Sequence, residues 1–581
     1  MLFMAKYNHI QLTINQGVVT PEKSHYKILK EKNIIYIYRN SDTKKMYVGQ
    51  TKDFISRHTQ HFNGTEEKFN IAKFDQVIVL YSQYFNKSAL DDVETQLITY
   101  LKADCLKAKG TQNILADDDL LINLTNGNSV LNYKEREDVA SKVVLPFWET
   151  VLYLKHWVNH LTIDELQKSA LVKYSPIKLL TQEQADIVDE IANNSDKNYV
   201  INGDAGTGKT VLLTHLVARM SRQQPEKKIA VIVQPNWRDT GDEIFKVYGL
   251  NSNQLEIGSS TQIINTRKEF DVIIIDESHK LSRRGNKQHF SFGKVYSEEF
   301  ADYQSHLEIL KRMGQQIILM YDILQAIRPA NIPREQMINL TKSFEQRYLK
   351  TQFRIQANDD SGCTSEDYIN GIKYLLYKDT GLLEYTNFNP NFKRELFKNT
   401  GDDSYFGYFQ DKPLHNLFDW IDEDININPE HINRVLGGLV EPWKQKDGQD
   451  LYKYHWVEGE LKCRWNSTQE NWINSEDIDA SEQIGSVFAV QGIDLNKVGV
   501  LIGDDLQVNS DGNLYAEREN FHNVNGVFSE SEAKDKSDEF TLLVLNIYYV
   551  LLTRGIDGIR IGFWHNDNFK KYFKETLQII D

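Results

Sequence analysis

Six side chains near the start of this sequence form an inventory suited to phosphate-ester chemistry. Tyr36 and Tyr47 stand eleven positions apart, the second within Tyr47-Val48-Gly49. Arg57 and His61 follow one helical turn apart and so share a helix face. Glu94 falls in the middle of a helical pattern, and Asn123 lies just past a short apolar strand. Hydrolysing a phosphodiester needs a deprotonated water, a cation on the phosphate oxygens and stabilisation of the charge that develops. A second inventory begins at Gly203-Asp204-Ala205-Gly206-Thr207-Gly208-Lys209-Thr210, which fits G-x-x-x-x-G-K-[ST] between a strand and a helix. Gly203, Gly206 and Gly208, with Thr207 between them, let backbone N–H groups wrap phosphates. Lys209 reaches the β- and γ-phosphates of a nucleotide, and Thr210 ligates Mg²⁺. Asp276-Glu277-Ser278-His279 closes an apolar strand. Asp276 is placed to bind the Mg²⁺ through water, and Glu277 to activate the attacking water.

These residues need elements to hold them. Residues 33–40 and 45–50 alternate as a hairpin with its turn at Asn40–Lys44. A helical pattern runs from Asp53 to Phe62, and 74–83 reads as another strand. Residues 88–103 read as a helix with Ser88 as N-cap. The first region closes near 121–128, and 131–175 read as a helical connector. The short apolar runs 229–235, 270–277 and 315–322 are those of a parallel sheet covered on both faces. The runs 497–505 and 558–564 predict a second such sheet, and about 356–480 reads as an insertion or an accessory subdomain. The expected fold class is α/β: a small α+β domain, then two parallel-sheet lobes. The expected domains are 1–130, a connector at 131–175, a first lobe at 176–335 and a second lobe at 336–581.

The order and spacing of the first set, most specifically YVGQTKDFISRHTQHF, resemble the GIY-YIG nuclease family over about 33–127. The resemblance implies that Glu94 holds a single Mg²⁺ and Arg57 stabilises the phosphorane. Tyr36 or Tyr47, with His61 nearby, would position or deprotonate the nucleophile, and Asn123 would support the site. Ile34 stands where the family name has its first glycine. The second set, spanning about 178–565, resembles superfamily 1 helicases and most closely the Schlafen group three-like DNA/RNA helicase domain. By that resemblance Gln184 reads the adenine edge. Asp322 and Gln325 would link the γ-phosphate to nucleic acid, Gln491-Gly492 marks a further motif, and Arg354 and Arg554 would reach the γ-phosphate.

Bulk properties are those of a folded protein of several domains: 581 residues, 40% apolar and 11% aromatic. The net charge is −15, but residues 1–130 hold 16 Lys+Arg against 14 Asp+Glu. Local grooves decide phosphate binding, so overall acidity argues only against indiscriminate sticking to nucleic acid. No signal peptide or membrane segment is read, and three widely spaced cysteines fit a reducing cytosol. The expectation is a cytoplasmic, Mg²⁺-dependent endonuclease and ATP hydrolase acting on nucleic acid, DNA in preference to RNA, in prokaryotic defence against phage or plasmids. One site with one metal cuts one strand, so a duplex break requires two protomers or two successive visits; the expectation is nicking as a monomer, or self-association or a partner protein on duplex. The rival readings are a repair or recombination enzyme, an NTP-driven switch that senses nucleic acid without unwinding it, and an RNA-directed enzyme.

Overall fold

A computed structural model describes residues 6–63, 73–107, 135–167, 172, 180–234, 245, 254–285, 294–353, 355, 357, 362–398, 404–429, 431–444, 447, 450–468, 472–474, 479–491, 493–523, 527–528, 532 and 536–579. The chain divides into two units. One holds Met1–Lys197, Thr210–Asp276 and Met313–Ile317; the other holds Asn198–Lys209, Glu277–Arg312 and Ile318–Asp581.

The N-terminal part of the first unit is built on a five-stranded sheet. Its strands are β1 (Asn8–Asn15), β2 (Val18–Val19), β3 (Ile34–Arg39), β4 (Met46–Thr51) and β5 (Gln76–Tyr81), in the order β2-β1-β5-β3-β4 with every pairing antiparallel. The expected hairpin is β3–β4. At its turn the Asn40 side chain accepts from the N–H groups of Asp42 (2.9 Å) and Thr43 (2.7 Å). Lys44 takes a left-handed φ of 62° there, which closes the hairpin. All six residues of β3 are buried. Ile34, Tyr36 and Tyr38 alternate onto one face and join Leu12, Tyr47, Phe54, Val77 and Val79 in the core. Ile34, the departure from the family pattern, is fully buried and pairs with Thr51 and Tyr81.

Helices α1 (Lys23–Glu31), α2 (Phe54–Asn63) and α3 (Lys87–Lys107) complete this part. The cap of α3 differs from expectation. Asn86 holds the Ala89 N–H at 2.9 Å, so the helix opens before Ser88. Helical residues Arg136–Tyr153 follow, and they are not a free connector. Arg136 grips Asp92 of α3 with two bonds of 2.8 and 2.9 Å, both side chains buried. Asp104 near the end of α3 accepts from the backbone N–H groups of Asn159 and His160. Residues 136–166 therefore pack as part of the N-terminal fold.

The remainder of this unit contributes β6 (Ile229–Ile232), β7 (Leu255–Gly258) and β8 (Phe270–Ile275), with β6 parallel to both others.

In the second unit, β9 (Tyr199–Gly203) pairs in parallel with Ile318–Tyr321 and with β10 (Glu345–Leu349). A separate all-parallel sheet holds β11 (Phe406–Phe409), β12 (Arg434–Gly437), β13 (Ile484–Gly485), β14 (Leu495–Ile502) and β15 (Gly555–Phe563), in the order β11-β15-β14-β12-β13. The stretch expected as an insertion thus supplies two strands of this sheet. β11 and β12 are four residues each and contain glycine, so their apolar runs fall below the length that marks a buried strand. Of the tryptophans in that stretch, Trp456 packs edge-on against Trp465 at 4.9 Å and both are buried. Trp237 lies outside the described residues.

Candidate active sites

The first site lies on β3, β4, α2 and α3. Cross-strand register places Tyr36 opposite Gly49 and Tyr38 opposite Tyr47, which brings Tyr36 and Tyr47 diagonally together. Their ring centroids are 6.4 Å apart with planes 29° apart. A Cβ on Gly49 would lie 2.4 Å from the Tyr36 ring. The glycine of Tyr47-Val48-Gly49 is therefore the seat of the Tyr36 ring.

Helix α2 buries Phe54, His58 and His61 at helical spacing. His61 Nε2 is 2.9 Å from the Tyr36 hydroxyl, and its ring packs on Tyr47 at 5.5 Å. Burial pushes the Tyr36 phenol pKa up, Tyr47 adds to this, and a hydrogen bond and the charge of Arg57 oppose it. Tyr36 is thus a neutral phenol joined to His61, with a guanidinium beside it. On α3, Gln50 bridges two carboxylates. Its amide donates to Asp91 at 2.6 Å and to Glu94 at 2.8 Å. Burial raises Glu94 to about 7, with Gln50 opposing, Asp91 adding to the rise and Arg57 opposing. Tyr36, Tyr47, Arg57, His61 and Glu94 stand near one another on these elements, while Asn123 lies outside the described residues.

Two partners in this site escaped the sequence reading. One is Gln50, three residues past the second tyrosine. The other is the pair Tyr38 and His58: the Tyr38 hydroxyl meets His58 Nδ1 at 2.8 Å, and His58 Nε2 meets the Gly17 carbonyl at 3.0 Å. A carbonyl only accepts, so Nε2 carries the proton and Nδ1 accepts from Tyr38. Burial lowers the His58 pKa, the Gly17 carbonyl opposing, which agrees with a neutral ring. The alternation of Tyr36 and Tyr38 on one strand was the available signal.

The donor set at Glu94 is all oxygen and contains one strongly perturbed carboxylate. It fits a hard cation held chiefly by water and substrate. Among the described residues no group of three or more His, Cys, Asp or Glu could by itself hold a metal.

The second set of residues begins at the phosphate loop and is divided between the two units. Gly206 and Gly208 take left-handed φ values of 84° and 81°, conformations glycine adopts without steric cost. A Cβ on Gly203 would meet Thr207 Oγ1 at 2.5 Å. Lys209 Nζ donates to the carbonyls of Gly203 (2.6 Å) and Asp204 (2.9 Å), and lies 3.9 Å from Asp322. The next residue, Thr210, donates its hydroxyl to Asp276 at 3.1 Å. A hydroxyl against a carboxylate directly after the loop lysine is the donor pair that an Mg²⁺ bound to nucleotide phosphates requires.

Glu277 follows Asp276 in a left-handed conformation, φ 47° and ψ 45°. Such a conformation costs of order 1–3 kcal/mol in a residue other than glycine. Burial opposes ionisation of Glu277, but the cations Lys280, Lys209 and Arg554 favour it, and its pKa lies below the usual range. Burial lowers His279 to about 3 against the pull of Glu277, so the ring is neutral near pH 7. Glu277 is thus a carboxylate beside a neutral imidazole 3.2 Å away.

From Lys209 a polar chain runs onward. Asp322 accepts from the Gln325 amide at 2.7 Å, and Gln325 Oε1 accepts from Arg554 at 3.4 Å. Burial raises Asp322 above the usual carboxylate range, with Lys209 opposing. Gln491 donates to the Gln325 carbonyl at 3.5 Å. Asn546 donates to the carbonyls of Ile323 (3.2 Å) and Ala326 (2.8 Å). Gln352 and Phe353 hold the loop through the carbonyls of Ala205 (2.6 Å) and Gly206 (3.0 Å). Arg354 and Gly492 lie outside the described residues. Gln184 closes a capping box with Thr181, its Oε1 accepting from the Thr181 N–H at 3.0 Å. Sequence reasoning missed Lys373, which is buried and pairs with Asp204 at 2.7 Å; the Tyr549 hydroxyl donates to the same carboxylate at 3.2 Å.

The two sites define a nuclease domain joined to a helicase-type P-loop domain. Residues 32–107 match the GIY-YIG catalytic domain, and residues 196–565 match the Schlafen group 3 DNA/RNA helicase domain. The chain belongs to the Schlafen group 3 DNA/RNA helicase family. It is 26% identical over 408 residues to the uncharacterized protein YPL245W of Saccharomyces cerevisiae, covering 62% of this chain and 81% of that protein. Among solved structures it is similar to S. cerevisiae Dbp5 bound to RNA and ADP BeF3, at 13% identity and TM-score 0.29, covering 70% of this chain and 89% of that one. It is also similar to the Hef helicase domain of Pyrococcus furiosus, at 11% identity and TM-score 0.29, covering 67% and 97%. No helix among the described residues is long and apolar enough to cross a membrane.

Proposed function

We propose that this protein is an ATP-dependent nuclease whose N-terminal domain, 6–166, hydrolyses phosphodiesters in DNA and whose helicase-type domain controls that cleavage. The observations that support the reading are the contacts made within each unit: Tyr36–His61 with Arg57 and Glu94, Thr210 with Asp276, and Lys209 with Asp322.

At the nuclease site, His61 takes the proton that Tyr36 passes on as a water is drawn toward phosphorus. Arg57 neutralises the charge that develops on the phosphorane oxygens. Glu94 and the phosphate would hold Mg²⁺, which supplies Lewis-acid polarisation when bound. Gln50 orients the Glu94 carboxylate. At the P-loop, Lys209 would exchange its bonds to the carbonyls of Gly203 and Asp204 for the phosphates of a bound ATP. Glu277 would orient the attacking water, and Thr210 and Asp276 would hold Mg²⁺. Gln325 and Arg554 report the γ-phosphate to the second parallel sheet. Gating by ATP suits a cytosolic enzyme that destroys invading phage or plasmid DNA while sparing the host's own.

The test is cleavage of plasmid, linear duplex, single-stranded DNA and RNA, with and without ATP and Mg²⁺, by the intact protein and by Arg57→Ala. Expected is Mg²⁺-dependent, ATP-modulated cutting of DNA that Arg57→Ala loses by about 10²–10³-fold. Cutting of RNA alone would move the reading to an RNA-directed enzyme, and wild-type cutting by Arg57→Ala would end it.

A further inference from the structure

Helix α1 lies ahead of the segment that matches the GIY-YIG domain, which begins at residue 32. Its sequence, KSHYKILKE, is sorted by face. Leu29 is buried, and His25 and Ile28 are partly buried. Lys23, Lys27 and Lys30 stand at i, i+4 and i+7, so they form one stripe on the opposite side, and all three are exposed. None of the three makes an ion pair among the described residues. Tyr26 is 47% exposed beside the stripe, and Lys32 and Lys52 are exposed as well. Residues 1–63 hold 10 Lys+Arg against 4 Asp+Glu in a chain of net charge −15. In an acidic protein, a row of exposed cations opposite a packed face selects for an anionic partner.

The helix that carries the row also adjoins the catalytic helix. α1 packs on α2, which carries Arg57 and His61. The Asp53 carboxylate at the start of α2 is held below its usual range, first by the Ser56 N–H and, among its charged neighbours, by Lys30. Seven residues of helix span about 10 Å, so the three charges are held on a rigid row. A duplex strand carries one phosphate per ~3.4 Å of helix axis in a fixed path, and a rigid row engages it with little ordering cost.

We propose that Lys23, Lys27 and Lys30 of α1 are a docking rail for the phosphate backbone of duplex DNA, which delivers the strand to the Arg57–Glu94 site. This rests on the nucleic-acid reading above. It adds a surface outside the matched domain.

The experiment measures the affinity of the full chain for a short duplex DNA, the matching single strand and the matching RNA between about 50 and 200 mM salt, without Mg²⁺. The variants are Lys23→Gln/Lys27→Gln/Lys30→Gln and the Lys→Arg triple, each checked for wild-type thermal unfolding. For the Gln triple, the slope of log affinity against log salt on duplex should fall by about 2–3, since each lost phosphate contact removes about 0.9. The Arg triple should retain the wild-type slope. An unchanged slope in the Gln triple overturns the rail. An equal drop on RNA overturns the assignment to duplex DNA. A wild-type chain that binds no nucleic acid overturns both this and the function. Duplex that is bound with the expected slope and is not cut with Mg²⁺ sinks the nuclease reading alone.

Discussion

Glu94 is the most perturbed acid of the nuclease site, and its environment sets a pH rule. Burial lifts it from the ordinary 4.5 to about 7. Folding therefore favours the protonated form between those values. Its contribution to stability is present at the acid side and is lost as pH rises through about 7, while the carboxylate charge proposed to hold a cation is gained. The Mg²⁺ concentration needed for half-maximal cleavage should accordingly rise about tenfold for each pH unit below 7. A Mg²⁺ titration at several pH values checks this; a flat profile between pH 5 and 7 contradicts the buried-carboxylate role. At the other site, Lys209→Ala removes the charge proposed to meet the β/γ-phosphates and should abolish ATP hydrolysis. Glu277→Gln should bind ATP and not turn it over. Phosphate release and nucleotide binding measured side by side separate the two, and steady turnover by either variant rejects the assignment.

At the scale of elements, the β3–β4 hairpin positions Tyr36 and Tyr47 by an interlock between a ring and a glycine. Gly49→Ala forces a Cβ to 2.4 Å from the Tyr36 ring. Overpacking of this kind costs about 1–3 kcal/mol. The ring must move from His61, so cleavage should fall together with thermal stability while ATPase stays intact. A Gly49→Ala protein with normal melting and normal cutting would show that the ring has room to spare. The Arg136–Asp92 pair makes a second claim at this scale. Removing one partner of a buried ion pair costs about 3–5 kcal/mol. Arg136→Ala should destabilise the N-terminal domain by that amount, and a fragment ending at residue 130 should melt far below one ending at 167. Equal melting temperatures for the two fragments would return 131–166 to the status of a linker.

For the whole molecule, the two chemistries should be separable by mutation yet linked by nucleotide. Arg57→Ala should leave nucleic-acid-stimulated ATPase in place. ATP should change the rate or pattern of cleavage by the intact chain and leave Lys209→Ala unaffected. The measurement is digestion of one substrate by both proteins, with and without ATP. Identical products in all four reactions would mean two tethered, independent activities. A control of this kind requires a path from the P-loop outward. Asp204 offers one inside the second unit, since it is held by Lys373 of the helix Ser365–Tyr377 and by Tyr549 of the helix Ser537–Leu552.

Sequence by itself determined the inventory and its order. The phosphate loop, the Asp276–Glu277 pair, the hairpin and the alternation of the buried strands are local patterns, because backbone geometry and side-chain period are set within a few residues. Tyr36, Tyr47, Arg57, His61 and Glu94 were legible for that reason. The tertiary structure decided what depends on pairing across long sequence distances. It placed Gln50 between Asp91 and Glu94, gave the 356–480 stretch two strands of a parallel sheet, and fixed 136–166 to α3 through Arg136 and Asp104. It also buried Lys373 against Asp204. A buried charge is invisible in sequence because a lone lysine or aspartate reads as solvated. Only the fold brings the opposite charge that makes its burial tolerable.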